Sequence, residues 1–489
     1  MATHAIYERA RLSRDARFDG RFFVGVHTTG IYCRPICPAV PPKPENIDFY
    51  ETAAAASEAG LRPCLRCRPE CAPASPAWNG TSTTVRRGLR LIADGALDEG
   101  SIEDLADRLG VTSRHLRRLF TEHLGASPQA VAHTQRLHFA KRLIDDTNLP
   151  MTEIAVAAGY GSTRRFNDAF KNTYARSPRE LRKRRNHGST SGGLLTVRLP
   201  WRAPFEETGL IDFYRDRATP GVEQVVDGGY FRSVRVAGEE GVIECRPVKA
   251  DGAVHLTVHG IDTRHLFAVV QSVRSIFDLD APVEDVHKLL RKDDVLKPML
   301  RGRKGVRVPG AWDGFELAVR AILGQQISVK AATTLAGRIA QRYGEPLAVP
   351  DTLIASDVSL THHFPTAEKL SRARFNNIGL VTARAETIRR LAKATVAGDV
   401  SFDAGQNVDD FCHDFTAIKG IGDWTAQYVA MRALKAPDAF PASDLGLLHA
   451  LNLKGASGIS ALKRHAEQWR PWRAYAAMIL WGSLSGSGG

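Results

Sequence analysis

Four cysteines near the N-terminus carry the plainest chemistry in this sequence. Cys33 and Cys37 lie in Thr29-Gly30-Ile31-Tyr32-Cys33-Arg34-Pro35-Ile36-Cys37-Pro38, and Cys64 and Cys67 in Arg62-Pro63-Cys64-Leu65-Arg66-Cys67-Arg68-Pro69. Two close pairs, C-x3-C and C-x2-C with 26 residues between them, have the ligand spacing of a tetrahedral Zn2+ site. Each pair spans one edge of the tetrahedron, and the intervening chain closes a loop around the ion. Two readings of such a site stay open. Closed four-thiolate sites are usually structural, yet zinc also keeps its ligands as thiolates, the nucleophilic form of cysteine. Four thiolates on one Zn2+ leave a net charge of about −2. Cys71 has no place in the tetrad, and Cys245 and Cys412 are isolated.

A second constellation lies far along the chain. Ile418-Lys419-Gly420-Ile421-Gly422-Asp423-Trp424-Thr425-Ala426 sets two glycines between helical patterns, and Phe440-Pro441-Ala442-Ser443-Asp444 follows. The glycines let the backbone turn tightly and aim N–H groups at an anion at the next helix's N-terminus. A lone Gly-x-Gly is a weak signal; a following helix and a downstream carboxylate make it stronger. Taken singly, Asp444 also reads as a helix N-cap, and Trp424, Tyr428 and Trp481 as core packing.

These groups need scaffolds. At 489 residues, 43% hydrophobic and 24% charged, the chain has the make-up of about two to four globular domains. No apolar run reaches membrane-spanning length, and Met1–Phe18 is charged rather than signal-like. Seven cysteines, four of them in close pairs, fit a metal site in a reducing compartment better than a disulfide framework. The net charge of +13 favours a polyanionic partner. The excess is uneven: residues 1–186 hold 29 Lys+Arg against 20 Asp+Glu, and the remainder 37 against 33.

Between about Thr83 and Arg185 the apolar spacing is helical, and a repeat of about fifty residues runs through it. Ala106-x3-Gly110-x2-Ser113 returns as Ala155-x3-Gly159-x2-Ser162, Phe120 as Phe170, and Ser127-Pro128 as Ser177-Pro178. The pattern predicts two helix–turn–helix units: a small Ala packs the first helix, a Gly makes the turn, and Ser or Thr caps the second. Aligned this way, the second copy has one extra residue between Ser162 and Phe166. The second helices carry Arg114, His115, Arg117 and Arg118, and then Thr163, Arg164 and Arg165, on a face suited to a major groove. A solvated basic face on an ordinary bundle is the alternative. Further on, Leu194–Leu199, Val242–Val248 and Val254–Val258 read as strands, and Arg264–Leu279, Phe315–Leu323, Val329–Tyr343, Ala383–Ala397, Trp424–Leu434 and Arg473–Trp481 as helices.

The cysteine motifs, with Asp19-Gly20-Arg21-Phe22-Phe23-Val24-Gly25-Val26 before them, closely resemble the N-terminal domain of the Ada family. That resemblance covers residues 1–75. It implies that Cys33, which matches the family's acceptor, takes a methyl group from a DNA methylphosphotriester. Residues 76–186 are similar to AraC/XylS-family DNA-binding domains, most clearly through Ala155-Val156-Ala157-Ala158-Gly159-Tyr160 and Ser177-Pro178-x2-Leu181-Arg182. A Pro-Cys-His-Arg motif, which would mark an O6-methylguanine methyltransferase, is absent.

Past the His187–Gly193 linker, the chain resembles AlkA-type 3-methyladenine DNA glycosylases of the helix–hairpin–helix superfamily. The likeness rests on the hairpin and Asp444, with Leu199-Pro200-Trp201, Arg320-Ala321-Ile322-Leu323-Gly324-Gln325 and Trp469-Arg470-Pro471-Trp472. It implies that Asp444 is the catalytic carboxylate and that Trp424, Tyr428 and Trp481 shape a base pocket. Gly420, Gly422 and Thr425 are the implied DNA contacts of the hairpin. Gln326 stands where the family can place a leucine wedge. Trp424 stands where strand-cutting relatives carry a Schiff-base lysine, which implies a monofunctional enzyme.

The combined expectation is a multidomain α+β, mainly helical protein. Its parts are a small zinc-bound α/β module (1–75), a helical double helix–turn–helix domain (76–186), a linker (187–193), a mixed α+β subdomain (194–282) and a helix–hairpin–helix glycosylase domain (283–489). The expected cofactor is Zn2+ on Cys33, Cys37, Cys64 and Cys67. The expected partner is double-stranded DNA, alkylated DNA and promoter sites alike, with RNA polymerase as a further candidate and no membrane. A cytoplasmic, nucleoid-associated monomer is expected. Two rivals remain at this point: a transcription factor whose glycosylase-like half only binds DNA, and a glycosylase with a purely structural zinc module.

Overall fold

The computed structural model describes residues 2–72, 83–93, 95–98, 100–183, 195–354, 357–403 and 406–485. The expected module end at Pro73–Pro76 and the linker at 187–193 lie outside the described residues. The chain forms two compact units. The first comprises residues 1–203, 248–272 and 279–282, and the second 204–247, 273–278 and 283–489.

In the first unit a four-stranded sheet runs in the order Ile47–Tyr50, Phe23–Val26, Ile31–Cys33, Arg62–Pro63. The first three strands are antiparallel, and Arg62–Pro63 lies parallel to Ile31–Cys33 with Ile31 opposite Arg62 and Tyr32 opposite Pro63. That register brings Cys33 and Cys64, the next residue on each strand, out side by side. Phe22, Val24, Val26 and Ile47 bury one core with Ala10, and Phe23, Tyr32, Ala56 and Leu61 another.

The helical repeat is present, with one correction to its alignment. Thr112, not Ser113, caps the helix Ser113–Leu124, accepting from the His115 N–H, and Ser162 caps Thr163–Tyr174 through the Arg165 N–H. Both helices have 12 residues and bury the same positions: Leu116, Phe120 and Leu124 in one, Phe166, Phe170 and Tyr174 in the other. The extra residue of the second copy therefore lies in the turn, where Gly159-Tyr160-Gly161 replaces Gly110-Val111. Turn length varies easily because no packed position shifts with it. Gly110 and Gly159 both have φ +71, the left-handed conformation that favours glycine. Between the two helix–turn–helix repeats, within the first unit, runs the helix Pro128–Asp146, with Val131, Leu137, Phe139, Ala140 and Leu143 buried.

In the second unit, Glu223–Val226, Gly229–Val236 and Glu239–Val248 form an antiparallel meander. Its two hairpins turn on Asp227-Gly228 (φ 47 and 72) and Ala237-Gly238 (φ 49 and 87), the paired positive φ values of type I′ turns. The helices Gly314–Leu323, Val329–Tyr343, Thr382–Ala397, Asp423–Arg432 and Arg473–Ser485 follow the expected periodicity, and Val408–Ala417 is a further helix before the hairpin. The helix expected over Arg264–Leu279 runs only from Leu266 to Ile276, because Asp278 turns left-handed at φ 51. Beneath the meander Arg232 pairs with Glu316 and, at 3.1 Å, with Glu223, which also meets Arg320 at 2.7 Å. Among the described residues, no helix is long and apolar enough to cross a membrane.

Candidate functional site

The four predicted ligands converge. One ligand atom from each of Cys33, Cys37, Cys64 and Cys67 lies within 4.8 Å of the others, against about 3.8 Å between sulfurs in an ideal tetrahedron with 2.3 Å Zn–S bonds. Four soft sulfur donors, with no carboxylate in the set, fit Zn2+. Two turns shape the cage: Cys37 N–H bonds the Arg34 carbonyl at 3.1 Å, and Arg68 N–H the Cys64 carbonyl at 3.1 Å. Cys67 is buried, while Cys33, Cys37 and Cys64 are half-buried.

Hydrogen bonding separates the four sulfurs further. The Arg34 N–H donates to Cys67 Sγ at 3.3 Å, and the backbones of Ala39 and Cys67 favour the thiolate forms of Cys37 and Cys64. Such a bond draws charge from sulfur and weakens it as a nucleophile. Cys33 Sγ faces the other three sulfurs of the cage. The Arg34 guanidinium does not face outward. It pairs with the Asp19 carboxylate and donates to the Cys67 carbonyl at 3.1 Å, so it holds the cage rather than offering itself to phosphate.

On the helix–turn–helix pair, Arg114, His115, Arg117 and Arg118 are exposed on one second helix, and Thr163, Arg164 and Arg165 on the other. Ion pairs on these faces are loose: Arg118 reaches Glu122 at 3.3 Å and Arg164 reaches Asp168 at 3.9 Å, all well exposed. Exposed pairs of this kind contribute at most about 1 kcal/mol and exchange readily for phosphate.

In the second unit the hairpin joins Val408–Ala417 to Asp423–Arg432. Gly420 sits at φ +99, and a Cβ there would lie 2.1 Å from the Thr387 hydroxyl, so glycine is required twice over. Gly422 caps the following helix and is exposed. Thr425, expected at the DNA contact, is only 1% exposed, and its hydroxyl accepts from Gln325 Nε2 at 3.0 Å. Its side chain braces the hairpin from inside. Gln325 also donates to the Gly420 carbonyl at 3.2 Å. Beside it Gln326 stands exposed at φ +57, at the tip between two helices, while Ile327 lines the cavity below.

That cavity, about 600 Å³, brings Trp424, Tyr428, Asp444 and Trp481 together. Trp424 and Tyr428 stack with ring centroids 5.3 Å apart, and Tyr428 meets Trp481 edge-on at 6.2 Å. Asp444 does cap a helix, Leu445–Ala450, but it does more than cap. Its Oδ1 accepts from Leu447 N–H at 3.0 Å and Trp481 Nε1 at 2.8 Å, and its Oδ2 from Trp424 Nε1 at 2.8 Å. A carboxylate has about four acceptor sites, so one remains, on Oδ2.

Sequence reasoning missed other residues of this cavity. Arg217, Arg303 and Arg432 line the cavity with Phe213. Arg432 donates to the Tyr428 hydroxyl at 2.6 Å, and its guanidinium lies 4.9 Å from the Phe213 ring centre. Burial alone would raise the Tyr428 phenol, but the charges of Arg432 and Arg217 outweigh it and lower the pKa. Arg432 had a signal, being four residues beyond Tyr428 on one helix. Phe213 and Arg217 had none, because Glu207–Arg217 lies some two hundred residues earlier and reaches the cavity only through folding.

Fold and sites together define a zinc-thiolate module, a helix–turn–helix pair and a base-excision glycosylase in one chain. Four family models match it: the metal binding domain of Ada at residues 7–70, a helix-turn-helix domain at 105–184, the AlkA N-terminal domain at 196–313, and the HhH-GPD superfamily base excision DNA repair protein at 319–473. The Mycobacterium tuberculosis (strain ATCC 25618 / H37Rv) protein named "Probable bifunctional transcriptional activator/DNA repair enzyme AlkA" is 42% identical over 97% of this chain and 95% of its own length. "DNA-3-methyladenine glycosylase 2" of Escherichia coli (strain K12) is 32% identical over 58% of this chain and 95% of its own. "Bifunctional transcriptional activator/DNA repair enzyme Ada" of the same organism is 40% identical over 24% of this chain and 32% of its own. The chain belongs to the family of bifunctional transcriptional activator/DNA repair enzymes of the AlkA type.

Proposed function

We propose that this chain answers DNA alkylation twice: Cys33 accepts a methyl group from DNA methylphosphotriesters and thereby promotes transcriptional activation, while Asp444 drives excision of 3-methyladenine-type bases. The observation that carries the reading is the Asp444 carboxylate, held by two indole N–H groups at 2.8 Å on the wall of an aromatic cavity. A duplex hides its bases, so the damaged nucleotide must leave the stack to reach that wall. Alkylation at N3 or N7 makes the purine cationic, and the faces of Trp424, Tyr428 and Trp481 favour a cation by about 0.5–2 kcal/mol. As the glycosidic bond lengthens, positive charge grows on the sugar. A fixed carboxylate stabilises that charge, and its remaining acceptor site orients water. Trp424 leaves no amine at that place for a Schiff base, which supports simple hydrolysis to an abasic site.

At the other end, zinc would be held by Cys33, Cys37, Cys64 and Cys67 and would keep their thiols ionised. Cys33 sulfur attacks the methyl carbon; the S–C bond forms, the C–O bond breaks, and the phosphodiester oxygen leaves with the electron pair. Cys33 suits this role as a half-buried sulfur at which no backbone donor is found among the described residues, whereas the buried Cys67 takes the Arg34 N–H. Methylation removes one negative charge beside the DNA backbone and so strengthens binding through the exposed arginines.

In the proposed division, residues 1–75 sense, 76–186 read promoter DNA, 187–193 link, and 194–282 with 283–489 form the glycosylase. The hairpin backbone at Gly420 and Gly422 grips phosphate, and Gln326 or Ile327 fills the gap left by the flipped base. The chain acts as a cytoplasmic, nucleoid-bound monomer that contacts RNA polymerase. Mass spectrometry of the protein after exposure to methylated DNA, with base release assayed in parallel, tests both activities. Label on a residue other than Cys33, or no release of 3-methyladenine, contradicts the corresponding half.

A further inference from the structure

The first unit holds contacts that neither activity uses. The zinc module touches the helix Pro128–Asp146, which joins the two helix–turn–helix units, at its start, middle and end. At the start, the Glu58 carboxylate accepts from the Ser127 N–H at 3.3 Å and the Ser127 hydroxyl at 2.8 Å. In the middle, the Tyr32 hydroxyl lies 2.9 Å from His138 Nε2. Near the end, Lys141 meets Glu70 at 3.4 Å, and Arg68 meets Asp145 at 2.7 Å and Asp146 at 3.3 Å. Tyr32, Glu70 and Lys141 are buried.

Two of these anchors grow directly from the metal cage. Tyr32 is bonded to Cys33 through its peptide, and its carbonyl accepts from the Cys64 N–H at 3.0 Å. Arg68 follows Cys67 and is held left-handed at φ 53. The strand Ile31–Cys33 alternates its faces, so Cys33 turns to the cage and Tyr32 to the helix. A change at one ligand therefore reaches the helix through a single residue.

We propose that the Tyr32–His138 contact is the relay by which the state of Cys33 sets the helix Pro128–Asp146, and with it the presentation of both DNA-reading helices. This rests on the sensing role proposed for Cys33. The relay is mechanical. Burial first, then the charges of Arg142 and Lys141, push His138 down to about 3, so the contact joins two neutral groups. Salt screens charge repulsion at exposed sites but acts little on a part-buried contact between neutral groups. Tyr32 and His138 are positioning residues, since neither touches the methyl group or DNA.

The test uses the full zinc-loaded chain, methylated or unmethylated, and a duplex selected from random sequence by methylated wild-type protein. Tyr32→Phe removes one hydroxyl and keeps the ring; His138→Phe is the companion variant. Zinc content and label uptake at Cys33 should match wild type. The gain in affinity on methylation should be about tenfold in wild type, within the usual range of coupling between sites, and less than about threefold in either variant. The part lost should be the part that persists at high salt. Hydrogen exchange across residues 128–146 should respond to methylation in wild type and not in Tyr32→Phe. A full gain in both variants overturns the relay and leaves the sensor intact. No gain in wild type overturns the sensing role and the relay with it.

Discussion

Cys33 and Asp444 are the two groups to which we assign the chemistry of this chain, and their surroundings are opposite. In the cage the Arg34 N–H donates to Cys67, and no backbone donor is found at Cys33 among the described residues. Asp444 takes three N–H donors on its two oxygens. The contrast follows from the work proposed for each. A nucleophile must give up an electron pair, and every donor aimed at it lowers that capacity. An electrostatic group must stay in place while charge develops opposite, and donors fix it there without later reorganisation. Bareness suits the first and saturation the second.

That contrast can be broken by experiment. The largest effect is expected for Cys33→Ala, which should abolish methyl uptake while base release stays at the wild-type rate; residual uptake on another cysteine would show that bareness does not choose the acceptor. Cys64→Ser should lose zinc and unfold the N-terminal module, because closed four-thiolate sites supply much of the folding energy of small modules; full zinc by metal analysis would refute the four-ligand cage. Asp444→Asn keeps the size of the side chain and removes its charge, so single-turnover release of 3-methyladenine should fall by at least ~100-fold. Affinity for an abasic-site duplex should change far less, and undiminished excision would refute the carboxylate's role. Trp481→Phe keeps an aromatic wall and deletes one of the three donors. A hydrogen bond to a charged group contributes roughly 1.5–3 kcal/mol, so release should slow by about tenfold or more. An unchanged rate would mean that two donors position Asp444 as well as three.

Much of both sites was legible because short-range chemistry wrote it. Paired cysteines are metal ligands by spacing alone, and the Gly420 turn demands glycine for reasons that local geometry and one neighbour, Thr387, supply. At Thr425, taken from the resemblance as a DNA contact, the spacing along the chain does not show that Gln325 covers the hydroxyl. The helix–turn–helix repeat misled by one residue for a related reason: cap identity is shared by Thr112 and Ser113, and burial of Leu116 and Phe166 at matching positions decides between them.

The sequence by itself determined the four ligands, the doubled DNA-reading unit, the hairpin and the carboxylate beyond it, since each is a local pattern of residue type and period. Only the tertiary structure decided what surrounds them. It put Arg217 and Arg432 into one cavity with Asp444, used two indoles as hydrogen-bond donors as well as faces, and turned Arg34 inward to Asp19. It also laid Tyr32 against His138, 106 positions away. Such pairings depend on which faces meet once apolar surface is buried, and the spacing of residues along the chain does not encode that meeting.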